Sequence, residues 1–210
     1  HALEFVQTDV IARWHRLKGE DVFFLSGSDE NAQKNVLAAL AKNIPAQKLV
    51  DDNSVLFKDL LKTLNISNDD FIRTSVDKKH RAGAIKIWEA CQKSGDIYKK
   101  SYTGLYCIGC EAFITEKELV DGQCSEHLKK PELVSEENYF FRLSKYSDAL
   151  KKMLLSDALK IIPDSKKNEM LSFIKRGLQE FSVSRSNERE KNWGDPVPGD
   201  DSKRKYVYAD

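Results

Sequence analysis

The chain has 210 residues, enough for one large domain or two modest ones, and 40% of them are hydrophobic, enough to build a core. Its 34 basic and 33 acidic side chains leave a net charge of +1, which excludes a protein that coats nucleic acid through bulk charge and leaves room for a local patch. No run of eighteen apolar residues offers a membrane span.

His1 opens straight into a helical pattern, so no signal peptide is expected. Leu3, Val6, Val10, Trp14 and Leu17 recur at intervals of three and four and predict an amphipathic helix ended by Lys18-Gly19. Val22-Phe23-Phe24-Leu25 reads as a short strand buried on both faces of a parallel sheet. Ser26-Gly27-Ser28-Asp29-Glu30 follows, then a helix with Val36, Leu37 and Leu40 turned inward. Helix, buried strand, polar turn and helix make half of a doubly wound α/β fold, in which ligands sit at the carboxyl ends of strands. Asp29 stands at that place, and it is equally the residue type that caps a helix; the residues leave both readings open.

Pro45 opens a third helix with Phe57, Leu60, Leu61 and Leu64 on one side, and Phe71-Ile72-Arg73-Thr74 reads as a second strand. Ala84, Trp88 and Cys91 mark a helix closed at Ser94-Gly95, with Cys91 as a small core residue. From Ile97 onward, Tyr98, Tyr102, Leu105 and Tyr106 predict short antiparallel strands.

These strands feed Cys107-Ile108-Gly109-Cys110, which is answered by Cys124-Ser125-Glu126-His127. A Cys-x2-Cys and a Cys-x2-His are the pairs from which a tetrahedral Zn²⁺ takes thiolate and imidazole ligands. Four protein ligands leave no open position for water, so the zinc is expected to be structural. Gly122 supplies an unusual backbone angle before the second pair. Cysteines in this spacing suit a reducing compartment such as the cytoplasm.

Tyr139 to Leu143 reads as a returning strand and Tyr146 to Leu155 as a helix. A longer helix starts at Pro163-Asp164-Ser165, with Met170, Phe173, Ile174, Leu178 and Phe181 on its buried side. Lys166, Lys167, Lys175 and Arg176 on this helix read as a solvated face rather than a nucleic-acid contact. A Pro/Gly turn from Trp193 to Asp200 leads to a strand at Lys205-Tyr206-Val207-Tyr208.

Several strings, in order, resemble the methionyl-tRNA synthetases, which are class I aminoacyl-tRNA synthetases. They are His1-Ala2-Leu3-Glu4 with Asp9 to Arg13, Asp21 to Glu30, Asp70 to Thr74, the Cys/His pairs, Glu136 to Tyr146, Ser182 to Arg185, and Trp193 to Asp200. The resemblance implies a Rossmann-type parallel sheet interrupted by a connective-peptide insertion that carries a zinc knuckle. It places the first half of the catalytic domain at 1–98, the insertion at 99–183 and the start of the second half at 184–210. It implies ATP-dependent activation of methionine, with Mg²⁺, and transfer to tRNA(Met). His1 falls on the last His of the family's His-x-Gly-His signature, which holds ATP, and Asp29 on the acidic residue that binds the amino group of methionine. Tyr208 stands where the family has a Trp beside the methionine side chain. Asp195 and Asn31-Ala32 also depart from the family pattern. The preceding strand and the Lys-Met-Ser-Lys-Ser loop are expected to lie outside these residues, so that the 210-residue chain alone is expected to be inactive. The alternative is a truncated relative acting as a zinc-containing binding module. The short insertion argues against the editing synthetases for leucine, isoleucine and valine, whose apolar pockets discriminate poorly by one methylene.

Overall fold

The computed structural model describes residues 1–110 and 112–206. Its first part runs α1 (Ala2–Leu17), β1 (Leu25–Ser28), α2 (Gln33–Ala41), α3 (Ala46–Thr63), β2 (Asp70–Arg73) and α4 (Lys78–Lys93). β1 and β2 pair in parallel, Leu25 opposite Asp70 and Ser28 opposite Arg73, with α2 and α3 as the crossover that a parallel pair needs. Gly27 permits this pairing: a Cβ there would lie 2.4 Å from the carbonyl oxygen of Ile72.

The strand expected at Val22 begins instead at Leu25. Phe24 is buried, but Phe23 and Leu25 are 71% and 48% exposed, so the apolar run alternates and is not covered on both faces. α1 forms as its periodicity predicts, yet Leu3, Val6, Val10, Trp14 and Leu17 are exposed and the buried residues are Asp9 and Ala12. A polar tether decides which face turns inward. The Asp9 carboxylate accepts from the Ser67 N–H at 2.7 Å and from Arg13 Nε at 2.6 Å, while Arg16 donates to Asp69 at 2.7 Å. These bonds hold the Asp9 carboxyl below its ordinary value against the desolvation that would raise it. In α2, Val36 and Ala39 are buried while Leu37 and Leu40 are exposed, against expectation.

β3 (Ile97–Cys107) is one long strand where several short ones were expected. It runs antiparallel to β7 (Glu132–Phe141), from Ile97 opposite Phe141 to Tyr106 opposite Glu132. With β4 (Ala112–Ile114) and β8 (Phe181–Ser182) it forms a sheet of order β4-β3-β7-β8. One face packs on α4 around Trp88, Ile97, Val183 and Val197, with Trp88 edge-on to Tyr139 at 5.4 Å. β5 (Leu119–Val120) and β6 (Gln123–Cys124) make a hairpin whose two turn residues, Asp121 and Gly122, both have positive φ. That is the Asp-Gly turn whose twist suits two adjacent strands.

α5 (Ser147–Leu155) and α6 (Asp164–Lys175) pack around Leu154, Ile174 and Leu178. Met170 and Phe173, expected inside, are 43% and 49% exposed. Lys166 pairs with Glu169 and Lys167 with Asp157, both at 2.6 Å. The chain then forms β9 (Ser184–Ser186), α7 (Asn187–Glu190), β10 (Pro196–Val197) and β11 (Asp200–Lys205), with strand order β10-β11-β9. Lys99 Nζ lies 2.8 Å from Asp200, and the Tyr139 hydroxyl donates to the same carboxylate at 3.2 Å, linking this small sheet to the larger one. Asp195, a departure from the family pattern, faces a buried lysine: its Oδ2 lies 3.3 Å from Lys205 Nζ, and its carbonyl accepts the Lys205 N–H at 2.8 Å. A buried cation requires such a partner. Among the described residues no helix is long and apolar enough to cross a membrane.

Candidate active site and metal centre

Asp29 follows the last residue of β1, at the carboxyl end of a parallel strand. It lines a cavity of about 440 Å³ together with His1, Phe5, Lys34, Asn53 and Phe57. Two residues 28 positions apart in the sequence, His1 and Asp29, thus border one cavity. The His1 ring stands edge-on to Phe57 at 5.2 Å, with Nδ1 3.5 Å from Glu4, and stays open to solvent. Tyr208 lies outside the described residues.

Asp29 does not cap α2. The N-cap position belongs to Ala32, which has no side chain able to accept. Asp29 accepts instead from the Asn31 backbone N–H. Its carboxyl is raised from the ordinary value, first by desolvation in the concave wall and also by the neighbouring Glu30; the Asn31 N–H, Lys34 and His80 pull the other way. Solvent reaches the side chain from the cavity mouth, yet protein surrounds it elsewhere, which reconciles its exposure with its desolvation.

The next residue, Glu30, is a positioning residue that sequence reasoning passed over. It is 2% exposed and carries the ion pair of the site. Arg73 Nε donates to Glu30 Oε1 at 2.8 Å and Arg73 Nη2 to Oε2 at 3.1 Å, the forked geometry that suits a carboxylate. Ser28 donates to Oε1 at 2.6 Å and the Ser75 hydroxyl to Oε2. Arg73 also reaches Asp51 on α3 at 2.6 Å, and these two carboxylates raise its already high value. β1, β2 and α3 therefore meet on one guanidinium. The signal in the sequence was the arginine ending β2 and the acidic pair ending β1.

The second constellation joins Cys107, Cys110, Cys124 and His127, whose ligand atoms all lie within 4.8 Å of one another. Cys110 Sγ lies 3.4 Å from Cys124 Sγ and 3.2 Å from His127 Nδ1, while Cys107 and Cys124 stand 4.0 and 3.9 Å from that nitrogen. Ligands of a tetrahedral zinc stand about 3.5–3.8 Å apart, given Zn–S near 2.3 Å and Zn–N near 2.0 Å. Burial and the two adjacent sulfurs push Cys110 up to about 12, while the His127 backbone N–H and ring bring Cys124 down to about 6. The donor set fits a metal ion, and the cysteines form no disulfide. Gly109 is what lets the imidazole in, since a Cβ there would meet His127 Cγ at 2.4 Å.

The protein-family model described as tRNA synthetases class I (M) matches residues 1–130 and 117–210. A methionine–tRNA ligase of Brucella melitensis is 41% identical over all of this chain, which covers 41% of that protein, and one of Caldanaerobacter subterraneus is 44% identical, with 32% of it covered. The crystal structure of Mycobacterium tuberculosis methionyl-tRNA synthetase bound by methionyl-adenylate superposes with a TM-score of 0.91 at 38% identity, again over all of this chain and 41% of the other. The chain thus spans about two fifths of the length of these relatives or less. From its first residue to its last, this α/β chain belongs to the class I tRNA synthetases (M).

Proposed function

We propose that this chain is part of a methionine–tRNA ligase that activates methionine with ATP and Mg²⁺ and transfers it to tRNA(Met) in the cytoplasm. The cavity at the end of β1, bordered by both Asp29 and His1, carries this reading. A carboxylate there accepts from the ammonium of an amino acid, and charge-assisted bonds of this kind are roughly twice as strong as neutral ones. His1 offers a ring N–H toward the same space, where a donor stabilises charge developing on phosphate in the transition state. Tyr208 is assigned to the wall beside the methionine side chain. The Cys/His cluster holds a structural zinc that ties β3 to the β5–β6 hairpin. The relatives bear the name methionine–tRNA ligase, and one is described as bound by methionyl-adenylate.

The same reading divides the chain into a first Rossmann half at 1–98, a connective insertion at 99–183 and the opening of the second half at 184–210. Crossover, switch in strand direction and small antiparallel sheet fall in that order along the chain.

The test is a calorimetric titration of the chain with methionine and with its deaminated analogue. Methionine should bind at least about tenfold more tightly, since a hydrogen bond to a charged group is worth about 1.5–3 kcal/mol. Asp29→Asn should abolish that preference. Equal binding of the two compounds to the parent protein would refute the assignment.

A further inference from the structure

β10 has little with which to hold a register. It has two residues, and Pro196 brings no N–H, so the strand donates only through Val197. Val197 is 1% exposed and anchors the hairpin in the core beside Trp88. Between Val197 and Pro196 the pairing jumps, from Asp200 opposite Val197 to Arg204 opposite Pro196. An irregularity of this kind disrupts the ladder locally. It separates the anchored end of the hairpin from the turn before it, Trp193-Gly194-Asp195.

β11 needs no such help. On its other edge it pairs with β9, Lys203 opposite Ser186 and Lys205 opposite Ser184. The Tyr206 N–H donates to the Val183 carbonyl at 2.9 Å, and the Arg185 guanidinium lies 3.9 Å from the Tyr206 ring. β11 is thus a fixed reference, and Asp195 joins the turn to it twice. The Asp195 carbonyl accepts the Lys205 N–H at 2.8 Å, and its carboxylate stands 3.3 Å from Lys205 Nζ. The Lys205 side chain is wholly buried, so its cation has no water in place of that carboxylate. A slip of the turn by one residue would turn the carboxylate away and leave the cation alone.

The turn held in this way touches the chain just after Asp29 at two points. The Trp193 indole N–H donates to the Glu30 carbonyl at 2.8 Å. Gly194, at φ 93°, lies against the next residue: a Cβ built on it would stand 3.7 Å from the Asn31 carbonyl oxygen. Lys205 and Tyr206 also face Asn31, Ala32 and Gln33 across a small space.

We propose that Asp195 and Lys205 are positioning residues for the Asp29 carboxylate: the buried pair fixes the Trp193 turn on β11, and the turn fixes the peptide that follows Asp29. The proposal rests on the reading that Asp29 meets the ammonium of the substrate amino acid, and it names what in the last part of the chain holds that carboxylate in place.

The test follows hydrogen exchange of the indole N–H groups by proton NMR on the 210-residue chain, with Trp193 assigned from a Trp193→Phe spectrum. Lys205→Met removes the buried cation. The double variant, Asp195→Leu with Lys205→Met, replaces the pair by apolar side chains, a change that often leaves a fold as stable as before or more so. In both, the Trp193 indole should exchange about tenfold faster, the loss of one hydrogen bond, and methionine should lose its advantage over the deaminated analogue. The Trp88 indole, beside the anchored Val197, should keep its parental rate. Arg81→Met is the control: Arg81 Nε stands 3.8 Å from Asp195 with its side chain 55% exposed, and pairs of that kind contribute little. It should leave both readouts as they are. Thermal melts followed by circular dichroism report whether each variant is folded, and should Lys205→Met unfold, the double variant decides. Parental exchange at Trp193 in the folded double variant, or a parental preference for methionine there, would overturn the proposal. Should the parent protein itself show no preference for methionine, the reading of Asp29 fails, and exchange at Trp193 still decides whether the pair positions the turn.

Discussion

Trp193 Nε1 donates to the carbonyl oxygen of Glu30 at 2.8 Å, although 163 positions separate them in the chain. Asn35 Nδ2 donates to the same oxygen at 2.9 Å, and the Glu30 N–H donates to Thr74 Oγ1 at 2.9 Å. The backbone of Glu30, the residue after Asp29, is therefore held on both sides, by α2 and by Thr74 just past β2 from the first part of the chain and by the Trp193 turn from the last. The ammonium-binding role proposed for Asp29 calls for such a support, because among the described residues only the Asn31 N–H bonds its own carboxylate directly.

Trp193→Phe removes the donor and keeps most of the ring. It should cost about 1 kcal/mol of stability in urea unfolding, the usual net worth of one such bond. Methionine affinity should fall as well, whereas Trp14→Phe, on the exposed face of α1, should change neither.

Asp29 should trade stability against binding. Folding raises its carboxyl above the unfolded value, so its contribution to stability is present below the unfolded value and lost as pH rises through the folded one. Asp29→Asn should therefore stabilise the free protein slightly near neutral pH while abolishing selection for the ammonium group. In the parent protein, methionine binding should weaken as pH falls through the raised value, because the protonated carboxyl no longer attracts a cation. A binding curve flat down to pH 4 would contradict this.

Purified protein should carry roughly one zinc per chain. Gly109→Ala should lower metal affinity by about tenfold or more by displacing the His127 ring, the scale of effect seen when support around a ligand is lost. Chelation should release amide protection at Cys107, Leu119 and Cys124 in hydrogen-exchange measurements, while α4 and β7, whose contacts with each other run through Trp88 and Tyr139, keep theirs.

Asp96 gives an acid-sensitive joint elsewhere. Lys145, Ser94 and Tyr146 all bond its carboxylate and hold it down to about 2 from an ordinary 3.8. A depressed value means that the stabilisation is present above the unfolded value and lost as pH falls toward the folded one. Between about pH 4 and pH 2 the segment around Lys145 and Tyr146 should loosen from β3. Asp96→Asn should remove that step from an acid titration followed by the fluorescence of the nearby tyrosines.

Much of this was legible in the residues because it rests on local chemistry. The Cys-x2-Cys and Cys-x2-His pairs, the positive φ of Gly122 and the Ser94-Gly95 helix end each follow from a few adjacent side chains. What escaped reading depends on partners distant in sequence. The stripe from Leu3 to Leu17 gave the helix correctly and its inward face wrongly, since the choice was made by Asp9 and Ser67. An apolar run at Val22 to Leu25 could not reveal that pairing starts at Leu25 and occupies one edge. Asp195 read as an oddity until Lys205 stood beside it. Glu30 went unremarked because its meaning lies in Arg73 and Trp193, neither of them near it in the sequence.

Gly27 sets a limit on how this site can be altered. Its missing side chain faces the Ile72 carbonyl and not the cavity floor, although it lines the same space as Asp29. Enlarging it in the hope of narrowing the cavity would wedge β1 from β2 and carry the Asp29 carboxylate two residues later out of place. Variants meant to probe the proposed amino-acid site are thus better placed on the far wall, where Phe57 and Asn53 stand on α3 and not on either strand.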